Sequence, residues 1–146
     1  KLPHPWEFRH DEVGFNYRMP NINAALGCAQ LEQLSAKLAA KRQLFLRYQD
    51  AFADINGVTL FEEPENCRSN YWLQSLVLDE SESDNRNLVL EATNNSGIMT
   101  RPVWVLLSEL VPYKDSPRMD LSTSRSLSAR IINIPSSPGL TLVNNV

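Results

Sequence analysis

Cysteine, histidine, glycine and lysine are all scarce in this chain, and each scarcity closes off a class of chemistry. The 146 residues include 2 cysteines and 2 histidines. Cys28 and Cys67 have neither the spacing of metal ligands nor the density of a disulfide scaffold, so no metal site is expected and the thiols read as reduced, in a cytoplasmic setting. With 5 glycines there is no glycine-rich phosphate loop. No apolar run approaches the ~20 residues needed to span a bilayer, and no apolar segment of a signal peptide follows Lys1, so no membrane partner is expected. Fourteen basic residues against 17 acidic ones give a net charge of −3, which argues against a nucleic-acid partner. What is present is an ordinary globular composition, 42% hydrophobic and 21% charged, at about the length of one domain.

Residues 1–20 show no period and carry Pro3, Pro5, Gly14 and Pro20, so they read as an arm or loop. Asn21 follows a proline and is a good helix N-cap. From Ile22 to Phe52 there is no proline, and Ile22, Leu26, Ala29, Leu34, Leu38, Phe45, Tyr48 and Phe52 recur mostly at helical spacing. This predicts one helix about 45 Å long, too long for the domain to cover by itself. Gly57 stops it. Val58–Phe61, Tyr71–Leu78, Ile98–Arg101 and Ile131–Ile134 read as strands, the second apolar enough for burial on both faces over part of its length. Helices are expected from Ser83 to about Asn95, with Gly97 as the left-handed stop, within 104–113, and over Leu121–Ala129. The fold class is α+β: a small two-layer domain over 21–146, with a few-stranded, mainly antiparallel sheet, one long N-terminal helix and shorter helices.

Three segments resemble the DegT/DnrJ/EryC1/StrS sugar aminotransferases in order and separation. They are His10-Asp11-Glu12-Val13-Gly14-Phe15-Asn16-Tyr17-Arg18-Met19-Pro20-Asn21-Ile22-Asn23, Gly97-Ile98-Met99-Thr100-Arg101-Pro102-Val103-Trp104 and Ile132-Asn133-Ile134-Pro135-Ser136-Ser137. The resemblance implies pyridoxal phosphate as cofactor and a nucleotide sugar as substrate, nearest to UDP-linked 4-keto sugars of surface-polysaccharide biosynthesis. It also implies a homodimer of two-domain subunits, of which this chain matches the small C-terminal domain. In such enzymes the cofactor lysine lies upstream, in a large domain this chain does not include. Of its four lysines, Lys1, Lys37, Lys41 and Lys114, none stands in the family's setting for that residue. No catalytic residue is therefore assigned, and the chain alone is expected to be inactive and to hold no cofactor stably.

The resemblance assigns Asn16 to the cofactor phosphate bound in the neighbouring subunit, since an amide NH₂ can donate to a phosphate dianion. Otherwise Asn16 holds a turn. Arg18 either takes a phosphate of the nucleotide sugar or braces the loop. Arg101 and Trp104, with Tyr113 nearby, lie where similar enzymes face substrate: an arginine for phosphate and a ring for a sugar or base. The competing reading makes Trp104 core and Arg101 a surface strand end. Ser108 stands where the family often has histidine. Glu32, Lys37, Lys41, Arg42 and Arg47 read as the solvated face of the long helix. The alternative to an aminotransferase domain is a free-standing, non-catalytic dimerisation or interaction module derived from one.

Overall fold

The computed structural model describes residues 15–141, and the chain divides into two compact units, 1–34 and 35–146. The part of the arm before Phe15, with His10, lies outside the described residues. In the first unit, residues 15–20 are neither helix nor strand, and helix α1 covers Asn21–Glu32. Pro20 occupies the N-cap position, its carbonyl accepting from Ala24 N–H at 3.0 Å. Asn21 is thus the first helical residue rather than the cap.

The expected single helix is two. Gln33, at φ −95° and ψ −2°, ends α1, and α2 runs over Leu34–Phe52. Neither proline nor glycine stands at the break, and its one mark in the apolar pattern is the off-period, five-residue step from Ala29 to Leu34. At 1.5 Å per residue, α2 is about 28 Å long.

That unit is built on a four-stranded antiparallel sheet in the order β1-β2-β4-β3. Strand β1 is Val58–Leu60, β2 is Gln74–Leu78, β3 is Arg101–Pro102 and β4 is Ile131–Ile134. Pro102 stands on an edge strand, where a missing N–H costs no ladder bond. Buried and half-buried positions alternate along β2, so only one of its faces is fully covered, not both. On the covered face Leu60, Leu76, Leu78, Ile132 and Ile134 meet Phe45, Tyr48 and Phe52 of α2 and Val89 and Leu90 of α3 (Arg86–Asn95). This apolar burial is the main term holding the layers together.

The remaining elements depart from expectation in detail. A 3-10 turn, Glu80–Asn85, precedes α3, and two more, Leu107–Glu109 and Val111–Tyr113, stand where a short helix is expected. Helix α4 covers Ser122–Arg130. Gly97 has φ +78°, as its stop role requires. Ile98, Met99 and Thr100 are not in the sheet. Thr100 is instead pinned to the end of α3, its hydroxyl 2.6 Å from that of Thr93 and its carbonyl 3.1 Å from Asn94 Nδ2.

Candidate functional site: an aromatic groove at the end of the sheet

In the first unit, Asn16 and Arg18 are exposed and bonded to each other. Arg18 donates its backbone N–H (3.0 Å) and its Nε–H (3.1 Å) to Asn16 Oδ1. Both are obligate donors, so the amide oxygen must face them. The Nδ2 group is then directed away, and it makes no hydrogen bond among the described residues. Arg18 braces its own loop, and the same contact leaves Asn16 with a donor to offer. Both residues are solvent-exposed.

In the second unit, a groove of about 600 Å³ opens at the end of the sheet where β2 begins and β4 ends. Its lining includes Arg101, Trp104, Trp72, Lys41, Asn133 and Ser136. Arg101 and Trp104 are therefore brought together. Trp104 is 77% exposed, so it is not a core residue. Arg101 Nη1 donates to Asn94 Oδ1 and to the carbonyl of Thr100, each at 2.8 Å. Those bonds fix one edge of the guanidinium. Its Nε and Nη2 make none among the described residues and remain for an anion in fork geometry. Tyr113 does not line this groove. Ser108 has an Oγ that is buried without a hydrogen-bond partner among the described residues.

Two groove residues escape the sequence reading. Trp72, expected inside a strand, precedes β2 and stands beside Trp104, with ring centroids 6.0 Å apart and planes at 39°. The signal for this was Ser69-Asn70. Ser69 Oγ accepts from Tyr71 N–H and Asn70 Oδ1 from Trp72 N–H, each at 2.9 Å, so consecutive side chains hold a turn where a strand pattern suggests ladder bonds. Lys41, expected on a solvated helix face, donates instead to the carbonyls of Tyr71 (3.3 Å), Trp72 (3.1 Å) and Ser136 (2.7 Å). Burial pulls its pKa below the ordinary lysine value, while the three acceptors use all three N–H groups of the ammonium.

Arg42 likewise is not simply solvated. It pairs with both oxygens of Glu63 at 2.9 and 3.0 Å, donates to the Ser69 carbonyl at 3.0 Å, and lies 5.3 Å from the centre of the Tyr71 ring. This pairing, reinforced by Ser69 N–H, holds the Glu63 carboxyl far below the usual range, at about 2. Tyr71 itself stacks on Phe45 with centroids 4.4 Å apart and has φ +46°, a left-handed conformation that is unusual for a bulky residue.

Residues 4–144 match the DegT/DnrJ/EryC1/StrS aminotransferase family. The chain belongs to that family. It is 34% identical over 132 residues to the GDP-perosamine synthase of Vibrio cholerae, a match that covers 90% of this chain and 36% of the relative. The Bacillus subtilis protein EpsN is 36% identical over 97 residues, covering 66% of this chain and 24% of that protein. Helicobacter pylori PseC, an aminotransferase involved in the biosynthesis of pseudoaminic acid, shares the fold with a TM-score of 0.82 at 19% identity, over 95% of this chain and 38% of its own. The chain thus spans about a third or less of the length of these curated relatives. Its family is one of pyridoxal-phosphate sugar aminotransferases. No helix of the described residues is long and apolar enough to cross a membrane.

The residues present can be tested against that cofactor. The outward Nδ2 of Asn16 fits a phosphate. The groove lysine, Lys41, does not fit the role of the residue that holds the cofactor covalently, because its nitrogen is committed to three carbonyls.

Proposed function

We propose that this chain is the small, C-terminal domain of a nucleotide-sugar aminotransferase, that it supplies the groove for the sugar substrate, and that it contributes Asn16 to the cofactor phosphate in the partner subunit of a homodimer. The observation that carries the reading is the pairing of exposed Trp104 with the unspent edge of Arg101 in one groove of a sugar-aminotransferase family member. A diphosphate linking a nucleoside to a sugar suits the guanidinium fork, and a pyranose or base suits an indole face.

Pyridoxal phosphate, when bound, supplies the electron sink that amino transfer requires. The contribution of this chain is binding and orientation: Asn16 donates to the phosphate, Arg101 holds the diphosphate, and Trp104 shields one face of the ring from water. A 4-keto sugar is the acceptor this reading calls for. Between UDP and GDP as its nucleotide, the Vibrio cholerae relative's name supports GDP.

Joining this chain to the preceding portion of that relative tests the proposal. The joined protein is expected to transfer an amino group to a GDP-linked 4-keto sugar, with neither half active alone. Cofactor binding without transfer to any nucleotide 4-keto sugar would overturn it.

A further inference from the structure

We propose that Lys41 is a positioning residue whose ammonium holds the Trp72 indole beside that of Trp104, so that the two rings form one aromatic wall of the groove. The wall's ligand rests on the function proposed above; the positioning does not.

A lysine ammonium has three N–H donors, and Lys41 places them on three backbone carbonyls, those of Tyr71, Trp72 and Ser136. Nothing is left with which to bind a ligand directly. These carbonyls belong to two separate rims of the groove, the turn before β2 and the segment after β4. The second rim is itself fixed, since Ser136 Oγ accepts from Gln74 N–H at 2.8 Å and donates to the Ile134 carbonyl at 2.6 Å. Lys41 therefore ties the Trp72 rim to an anchored one.

The tie is needed because of where it falls. Tyr71 is held at φ +46°, which a bulky side chain adopts only when its surroundings impose it. Stacking on Phe45 holds the Tyr71 ring, and the peptide that leaves Tyr71 is held on one side by Asn70 Oδ1, which accepts from Trp72 N–H, and on the other by Lys41, which donates to the Tyr71 carbonyl. Trp72 comes next, 61% exposed and with no hydrogen bond to its indole nitrogen among the described residues, so its backbone and its contact with the Trp104 ring aim it. Removing the ammonium leaves Trp72 N–H on Asn70 as the remaining hydrogen bond at the Trp72 backbone among the described residues, and the freed Trp72 carbonyl turns towards water and takes the indole with it.

The geometry also limits what the wall can take. A ring sandwiched between two others needs them about 7 Å apart and parallel, twice a carbon contact distance of ~3.5 Å. Trp72 and Trp104 are 6.0 Å apart and tilted by 39°, so a ligand lies across both rings rather than between them. That suits the apolar face of a sugar or base.

The pairing of the indoles can be read in the full chain without any ligand. With its tryptophans isotopically labelled, nuclear Overhauser contacts between the Trp72 and Trp104 rings are expected in the unmodified chain. They are expected to vanish in Lys41→Met while the signals of Leu76 and Ile132 in the core stay in place. Arg130→Met, which removes a comparable side-chain bond to the Leu78 carbonyl elsewhere on the sheet, is expected to preserve them. Persistence of the indole contacts in Lys41→Met, or their equal loss in Arg130→Met, overturns the assignment. Should Lys41→Met not fold, the Lys41 ammonium resonance in the unmodified chain decides: hydrogen exchange much slower than that of exposed Lys114 supports the tie, and equal exchange overturns it. Failure to bind a nucleotide sugar would bear on the proposed function alone.

Discussion

Arg18 donates twice to one atom of Asn16, through its backbone N–H and its Nε–H, and so turns the amide of Asn16 outward. Replacing the amide by a carboxylate would keep that oxygen in place for Arg18 and change only what faces out. Asn16→Asp is therefore expected to leave the fold intact. In the protein joined to a large domain it should weaken pyridoxal phosphate binding by at least about 1.5–3 kcal/mol, the worth of a hydrogen bond to a charged group, with repulsion of the phosphate added. Cofactor titration by absorbance measures it. An unchanged dissociation constant would return Asn16 to a turn role.

Glu63 gives a pH prediction whose sign is fixed by its partners. Its carboxyl is held at about 2 by Arg42 and Ser69, against an ordinary 4.5. Because the folded state favours the ionised form, the contribution to stability is complete above pH 4.5 and is lost as the pH falls from there towards 2. Melting temperatures measured across this range should fall in the unmodified chain more steeply than in Glu63→Gln, which begins lower. Parallel curves for the two would remove the pair from the stability account.

Lysine chemistry supplies a third expectation. Adding pyridoxal phosphate to this chain and reducing with borohydride should leave no stoichiometric adduct on any single lysine, since none of the four stands in the family's setting for the cofactor lysine and Lys41 is occupied by carbonyls. Mass mapping after proteolysis reads the result, and one fully modified lysine accompanied by amino transfer would contradict it.

Association follows from the first unit. Phe15, Tyr17, Met19, Ile22, Leu26 and Leu31 are each more than half exposed, and apolar patches of more than a few hundred Å² are unusual on stable monomers. Self-association, with a two-fold dimer favoured, is the expected result of sedimentation equilibrium at micromolar concentration. A monomer without concentration dependence would rule it out.

Much of this was legible in the residues because local rules and tertiary packing agree there. Ile131–Ile134 is a strand with its predicted limits, and Gly97 stops α3 as a left-handed residue should. The antiparallel sheet with helices follows from the order of apolar runs. The break at Gln33 was easy to miss, because no breaker residue marks it and the five-residue step from Ala29 to Leu34 is its one trace in the apolar pattern. Thr100 left the expected strand because hydroxyl and amide side chains of α3 offered its polar groups other partners. In the groove, Arg101 and Trp104 were named by resemblance, and the structure brings them together. Lys41 and Trp72 were not legible, since a lysine at helical spacing looks solvated until the carbonyls it gathers, from residues distant in sequence, are seen together.

The groove as a substrate site is tested most directly by Trp104→Ala in the joined protein, with KM and kcat for a GDP-linked 4-keto sugar measured separately. Ring stacking is worth about 1–3 kcal/mol, or about 5- to 150-fold. The account predicts a rise in KM within that range with kcat little changed, because Trp104 binds the ring without touching the proton that moves. An unchanged KM in a folded, cofactor-loaded Trp104→Ala protein would contradict it.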